Sequence, residues 1–253
     1  MDMTYFNAEK TRDDLVNWLK NWFEKNGPDC KAVIGISGGK DSTIVAALCA
    51  RAIGKERVLG VLMPNGVQKD IDDSRRVCEC LGIDNITVNI NPAYKGIVDE
   101  VSWMLSKGSD EIKVLSDQTL VNLGPRLRMA TLYAVSQTVK GRVVNTSNKS
   151  EFMAGYFTRW GDECGDVKPL INLTKNEVVA IGLTIQEIPR DLVEKTPSDG
   201  LSGKSDEDRL GFTYEQMDNY LRCVGNGGDV DKKIEDKIFA TAFKRKSPAA
   251  FEP

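Results

Sequence analysis

The segment VIGISGGKDSTIVA, residues 33–46, sets two consecutive glycines, two serines, a lysine and an aspartate between apolar runs. Adjacent glycines directly after an apolar strand let the backbone turn tightly and aim its N–H groups inward. A helix that follows adds the positive end of its dipole, and the two together form a site for phosphate or another anion. Gly38 and Gly39 alone would serve equally well in a plain strand–helix turn. Ser37, Lys40, Asp41 and Ser42 favour the anion site, because a turn needs no such cluster of polar groups. Two familiar phosphate loops do not fit. A Walker A loop needs a glycine where Ile34 stands and a Ser or Thr where Asp41 stands, and Gly35 and Gly38 do not make GxGxxG.

Other chemistry is excluded by what the chain lacks. It has no histidine, and its six cysteines, at 30, 49, 78, 80, 164 and 223, form no CxxC pair. That argues against zinc ligation and against a histidine-based triad or acid–base pair. Proton transfer then falls to a carboxylate, bound water or a phosphate. A net charge of -3 gives no general attraction to nucleic acid, and the KRK at 244–246 is too short to change that. The start, MDMTYFNAEKTRDD, is too polar for a signal peptide, and no run is apolar and long enough to span a membrane. Unpaired cysteines with no export signal point to a reducing cytoplasm.

The elements that must position the loop follow from the apolar pattern. Residues 9–25 read as an amphipathic helix stopped by Gly27-Pro28, with Leu15, Trp18, Leu19, Trp22 and Phe23 on one side. KAVIGI, VLGVLM at 58–63, ITVNI at 86–90 and RVVNT at 142–146 read as strands. Helices are expected at 42–53, 70–81, around 97–105, over 118–139 and from Lys149. Pro125 allows the helix expected over 118–139 to begin near Gly124 instead, since proline is tolerated only in a first turn. Strands alternating with helices predict an α/β fold, a Rossmann-like open parallel sheet with helices on both faces. Beyond Asp166 the pattern loosens into a helical C-terminal extension. It holds a short helix in LTKNEVVAIG, a polar loop at 192–211, a helix in FTYEQMDNYL and a last one through Phe243. The expected organisation is one domain over 1–253, with a nucleotide-binding core at 33–166 and a lid loop and helices at 167–253.

SGGKDS resembles the SGGxDS loop of the ATP pyrophosphatases, which cleave ATP between the α- and β-phosphates to form an adenylate. Three further blocks resemble the ammonia-dependent NAD synthetases over nearly the whole chain. They are NLGPRLRMATLYA at 122–134, NTSNKSEFMAGYFTRWGDECGDVKPLINLTKNEV at 145–178, and KTPSDGL with SDEDRLGFTYEQMDNYL at 195–221. The resemblance implies an adenine nucleotide alpha hydrolase-like fold. It also implies a homodimer with the deamido-NAD site at the interface, and ATP-dependent amidation of deamido-NAD through an adenylate. The chain is too short for a glutaminase domain, so free ammonia is the expected nitrogen donor. A tRNA-thiolating ATP pyrophosphatase is one alternative, and a non-catalytic adenine-nucleotide-binding regulator is another.

The resemblance also assigns residues. Ser37, Gly38, Gly39, Lys40 and Ser42 would hold the pyrophosphate, with Thr146, Lys175, Ser198 and Lys244 as further ATP contacts. Asp41 and Glu151 would bind Mg²⁺, a hard ion suited by oxygen ligands. Each follows a strand, the first and the fourth, and so points to one edge of a parallel sheet. Asp162 would stand by the ammonia as a base, with Asp41 and Lys175 as the other catalytic groups. Asn122, Arg126, Tyr133, Phe157, Asp162 and Asp166 would receive deamido-NAD, while Arg128 is expected in an interhelical ion pair. PNGVQKD at 64–70 and the region 195–209 would cover the site.

Overall fold

The computed structural model describes residues 6–68, 71–108, 115–194 and 206–251. Four parallel strands, β1 (Lys31–Gly35), β2 (Val58–Leu62), β3 (Asp84–Thr87) and β4 (Gly141–Val143), form one sheet in the order β3-β2-β1-β4. Val33 lies opposite both Leu59 and Val143, so the first strand is one of the two inner strands. Its side chains alternate between two apolar cores. Ala32 and Ile34 face a large one, while Val33 joins Val61, Met63 and Ile90 on the other face. A strand enclosed on both sides reads as an unbroken apolar run, as KAVIG does.

The larger core is closed by α1 (Ala8–Asn26), α2 (Lys40–Ile53), α3 (Ile71–Leu81), α7 (Lys175–Gly182) and α8 (Arg190–Glu194). Every residue from Ser42 to Cys49 is buried, because α2 is wrapped by α1, α3, α7, α8 and the sheet. On α1, Leu19 and Phe23 are inside, whereas Trp18 is half exposed. The opposite face is covered by α5 (Asp117–Thr138) through Leu127, Leu132 and Val135. A satellite core joins α6 (Lys149–Ala154), α9 (Asp206–Leu210), α10 (Tyr214–Leu221) and α11 (Gly228–Ala240), centred on Met217 and Ile234.

Several boundaries differ from the sequence reading. The third strand lies at Asp84–Thr87, upstream of the expected 86–90. Its neighbours Val88 and Ile90 still donate to Leu62 and Pro64, so the pairing continues without regular strand geometry. Between them, the Asn89 side chain accepts from Gly66 N–H and Asn91 N–H. α4 (Asn91–Gly108) begins well before 97, since Pro92 falls in its first turn, where proline is at home. α5 starts at Asp117, capped by Ser116, and carries Pro125 inside it rather than starting near Gly124. One lost hydrogen bond is offset by the leucines and valines that pack α5 on the sheet. The stretch expected as a polar loop at 192–211 contains the end of α8 and all of α9. α11 ends at Ala240, and a 3₁₀ turn over Ala242–Arg245 replaces its expected last residues.

Candidate active site

The strand order reverses between β1 and β4, and open α/β sheets bind ligands outside the carboxyl ends of their strands at such a point. The loop leaving β1 is held by its own side chains. Gly39 N–H donates to Ser37 Oγ at 3.2 Å, Ser37 and Ser42 hydroxyls are 3.1 Å apart, and Ser42 and Thr43 hydroxyls donate to Gly39 O. Gly38 has φ +78°, and a Cβ there would come within 2.9 Å of Asp73 Cβ, so only glycine lets α3 approach this turn. The loop is thus a fixed turn at the N-terminus of α2.

Beside it, Lys175 Nζ donates to Asp41 Oδ2 at 2.7 Å and to Glu151 Oε1 at 2.8 Å. The lysine is 5% exposed, and its ammonium also lies 5.1 Å from the Tyr214 ring centre. Burial opposes that charge, but the two carboxylates more than offset it and raise the Lys175 pKa. Lys40 is shifted the other way, lowered by burial and then by repulsion from Lys175. Asn148, wholly buried, ties the strand ends together. Its amide donates to Asp41 Oδ1, and its carbonyl oxygen caps α6 by accepting from Glu151 N–H. Thr146 sits in the segment between β4 and α6, half-buried. Two carboxylates, two ammonium groups and a glycine turn therefore meet at one sheet edge.

A second cluster forms around the turn at 155–166. Asp162 Oδ1 accepts from Thr158 N–H at 2.8 Å, and the Thr158 hydroxyl donates to Asn122 Oδ1 at 2.9 Å. Asp162 is open to solvent, yet protein atoms crowd around its carboxylate. That crowding raises its pKa, although donors from Thr158 and its own backbone and the charge of Lys244 oppose it. Asn145 reaches from the end of β4 to the carbonyls of Asp162 and Cys164. Gly161 lies so close to α5 that an added Cβ would stand 3.1 Å from Pro125 Cβ, which gives the helix proline a packing role. Lys244 Nζ donates to Gly155 O and Phe157 O, both at 2.7 Å, and Arg245 donates to Phe152 O and Met153 O. The C-terminal 3₁₀ turn thus clamps the Asp162 turn.

The remaining expected residues divide. Asp166 is pinned to β4, its Oδ2 accepting from Val143 N–H at 2.7 Å, and it lies beside Tyr133. Burial and then that carboxylate push Tyr133 up to about 12. Arg126 is exposed and reaches Arg159 O at 3.4 Å. Phe157 is buried and stacked on Phe152, ring centres 5.5 Å apart. Arg128, expected in an ion pair, instead donates to Met63 O at 3.0 Å, because its helix runs past the end of β2. Ser198 lies outside the described residues, as do most of 195–209 and the last two residues of 64–70.

The comparisons with known proteins bear on this arrangement directly. The family model described as NAD synthase matches residues 11–248. This chain belongs to the NAD synthase family. A relative from Pyrococcus horikoshii, called an NH3-dependent NAD(+) synthetase, is 43% identical over 251 residues, covering 93% of each chain. Among solved structures, the NMN synthetase of Francisella tularensis is 31% identical with a TM-score of 0.85, covering 98% of this chain and 99% of that one. An NH3-dependent NAD synthetase from Campylobacter jejuni is 25% identical with a TM-score of 0.76, covering 97% and 99%.

Three residues of this candidate site escaped the sequence reading: Asn145, Asn148 and Asp218. Asn148 carried a usable signal, an Asn three residues before a Glu at the start of a helix. Asn145 and Asp218 carried none, since only tertiary packing makes them buried hydrogen-bonding hubs.

Proposed function

We propose that this protein amidates deamido-NAD with ammonia, splitting ATP to AMP and pyrophosphate, by way of an NAD-adenylate. The observation that carries the reading is Lys175 bridging Asp41 and Glu151 beside the Ser37–Ser42 turn. In the first step an oxygen of the nicotinate carboxylate attacks the α-phosphorus, and the bond to the β-phosphate breaks. Backbone N–H groups and the hydroxyls of Ser37 and Ser42 hold the departing pyrophosphate, with Lys40 adding positive charge. Lys175 and Thr146 meet the negative charge that gathers on the phosphoryl oxygens. In the second step ammonia attacks the carboxyl carbon, the bond to AMP breaks, and Asp162 takes the ammonium proton. Asn122, Arg126, Tyr133 and Asp166 line the approach of the nicotinate end. Phe157 acts from beneath through its packing, and Lys244 by holding the Asp162 turn.

Two carboxylate oxygens that converge on one cation fit Mg²⁺, which takes one or two carboxylates and fills its shell with water and phosphate oxygens. Among the described residues no larger acidic, Cys or His cluster gathers. Held by Asp41 and Glu151, that ion would supply charge neutralisation on the phosphates. We read the chain as one domain with a nucleotide core at 33–166 and a lid and helices at 167–253, paired in a homodimer. Ile97, Val101, Trp103 and Met104 on α4 and Val121 on α5 leave apolar side chains exposed, which supports a second copy there. No described helix is long and apolar enough to cross a membrane, and the six free cysteines suit a reducing cytoplasm. The thiolation alternative has little support, because Cys78 is buried on α3 away from the strand ends and burial pushes it up to about 11.

The name of the Francisella structure favours a second reading in which the amidated nicotinate is a mononucleotide. One experiment separates the two. The pure protein is incubated with ATP, Mg²⁺, ammonium and either deamido-NAD or nicotinate mononucleotide, and products are resolved. NAD, AMP and pyrophosphate in equal amounts from deamido-NAD support the main reading. Preference for the mononucleotide selects the second, and ADP with phosphate would overturn both.

A further inference from the structure

Asp218 lies on α10, in the C-terminal extension, yet its carboxylate is 4% exposed and turned toward the sheet edge. Its Oδ1 accepts from the Ser150 hydroxyl, and its Oδ2 accepts from Asn176 N–H at 2.8 Å. The Ser150 oxygen in turn accepts Lys175 N–H at 3.0 Å. Ser150 immediately precedes Glu151, and Lys175 and Asn176 open α7. One carboxylate therefore ties the first turn of α6 to the first turn of α7, 24 residues apart at Glu151 and Lys175. It meets N–H groups that an α-helix leaves without partners at its start. Tyr214, one turn earlier on the same helix, places its ring against the Lys175 ammonium. Backbone and side-chain head of Lys175 are both set from α10.

We propose that Asp218, acting through Ser150, is a positioning residue that fixes Lys175 relative to Glu151 for the adenylation step. The inference rests on the reading of that site given above. The reach of a lysine from a buried helix start is decided by where that start lies. A displacement of about 1 Å far from the reacting atoms is enough to cost about a hundredfold in rate. Binding of ATP, by contrast, draws on the whole glycine turn, which Asp218 does not touch. The loss should appear in kcat rather than in KM.

The test uses the full chain and deamido-NAD-dependent exchange of labelled pyrophosphate into ATP, with Ser150→Ala, Asp218→Ala, Asp218→Asn and the double alanine variant. Folding is followed by circular dichroism and thermal melting. Ser150→Ala and Asp218→Ala should lose at least about tenfold in exchange kcat, with KM for ATP within about twofold of wild type. Asp218→Asn keeps an oxygen for Asn176 N–H and an amide for Ser150, and should recover most of the rate. The double variant should be no slower than Asp218→Ala, because both substitutions break one link. Unchanged kcat in folded Ser150→Ala, or a loss carried wholly in KM, overturns the inference. Should Asp218→Ala fail to fold, Ser150→Ala still decides. Absence of exchange in the wild type would defeat the adenylation reading instead, which keeps the two failures apart.

Discussion

With its ammonium 2.7 and 2.8 Å from their oxygens, Lys175 separates two carboxylates that would otherwise face each other across the ends of β1 and β4. Removing one member of a buried charge cluster costs roughly 3–5 kcal/mol, an upper figure here because Asp41 and Glu151 remain partly open to water. Lys175→Met should therefore melt below wild type without metal. Mg²⁺ should then raise its melting temperature more than it raises that of wild type, since two uncompensated oxygens await a cation. Equal Mg²⁺ shifts in the two proteins would detach these carboxylates from the metal. Asp162 invites a different separation. Asp162→Asn retains an acceptor for Thr158 N–H, so the turn should hold and pyrophosphate exchange persist. Amide formation should fall by about a hundredfold or more, the range expected for losing a general base. Because crowding raises the Asp162 pKa from 3.8, the wild type should lose amidation as pH falls through a value above 3.8. The variant should lack that acid limb, and a retained limb would assign it to another group.

Local structure was the most legible level, and its errors lie where packing overrules local preference. The glycine turn and the first two strands need only neighbours in sequence to be recognised, and they stand where their residues predicted, whereas the third and fourth strands begin and end earlier than expected. Pro125 misled, because the cost of a proline inside α5 is visible in the sequence and the contact with the Gly161 turn is not. The meeting of Asp41 with Lys175 spans 134 residues, so spacing could not reveal it; only the family resemblance brought Lys175 forward. At the other end of the extension, α11 starts from Gly227 without a side-chain cap of its own, and Asp231 takes over. Its carboxylate accepts from Asn226 N–H, Asn226 Nδ2 and Gly227 N–H. Those donors, the Asn226 backbone first, lower its pKa from 3.8. A lowered folded-state pKa gives stability that is full above the unfolded value and lost as pH falls through the folded one. Asp231→Ala should melt below wild type at pH 7, with the difference closing below pH 3.8. A difference that persists in full at pH 2 would mean the loop is held by packing rather than by charge.

Across the whole molecule, the sheet edge gathers the groups proposed to react while α4 presents Ile97, Val101 and Met104 at spacings of four and three, which places them on one side of the helix. Trp103 and, on the neighbouring α5, Val121 widen that surface. A second exposed set, Phe239, Phe243 and Phe251, lies on and after α11. The two surfaces make different predictions about assembly. α5 carries Asn122, Arg126 and Tyr133, so a partner on α4 and α5 would sit next to the groups assigned to the nicotinate end, whereas a partner on α11 would not. Val101→Glu combined with Met104→Glu buries two charges in any α4–α5 interface, with no other residue touched. Light scattering over a range of protein concentrations should then show the mass of one chain for the variant and of two chains for wild type. NAD formation should fall with the loss of the dimer, and the melting curve of the single chain should remain cooperative. A double variant that still weighs two chains would move the interface to the aromatic surface at α11, and with it any contribution of a partner to the nicotinate site.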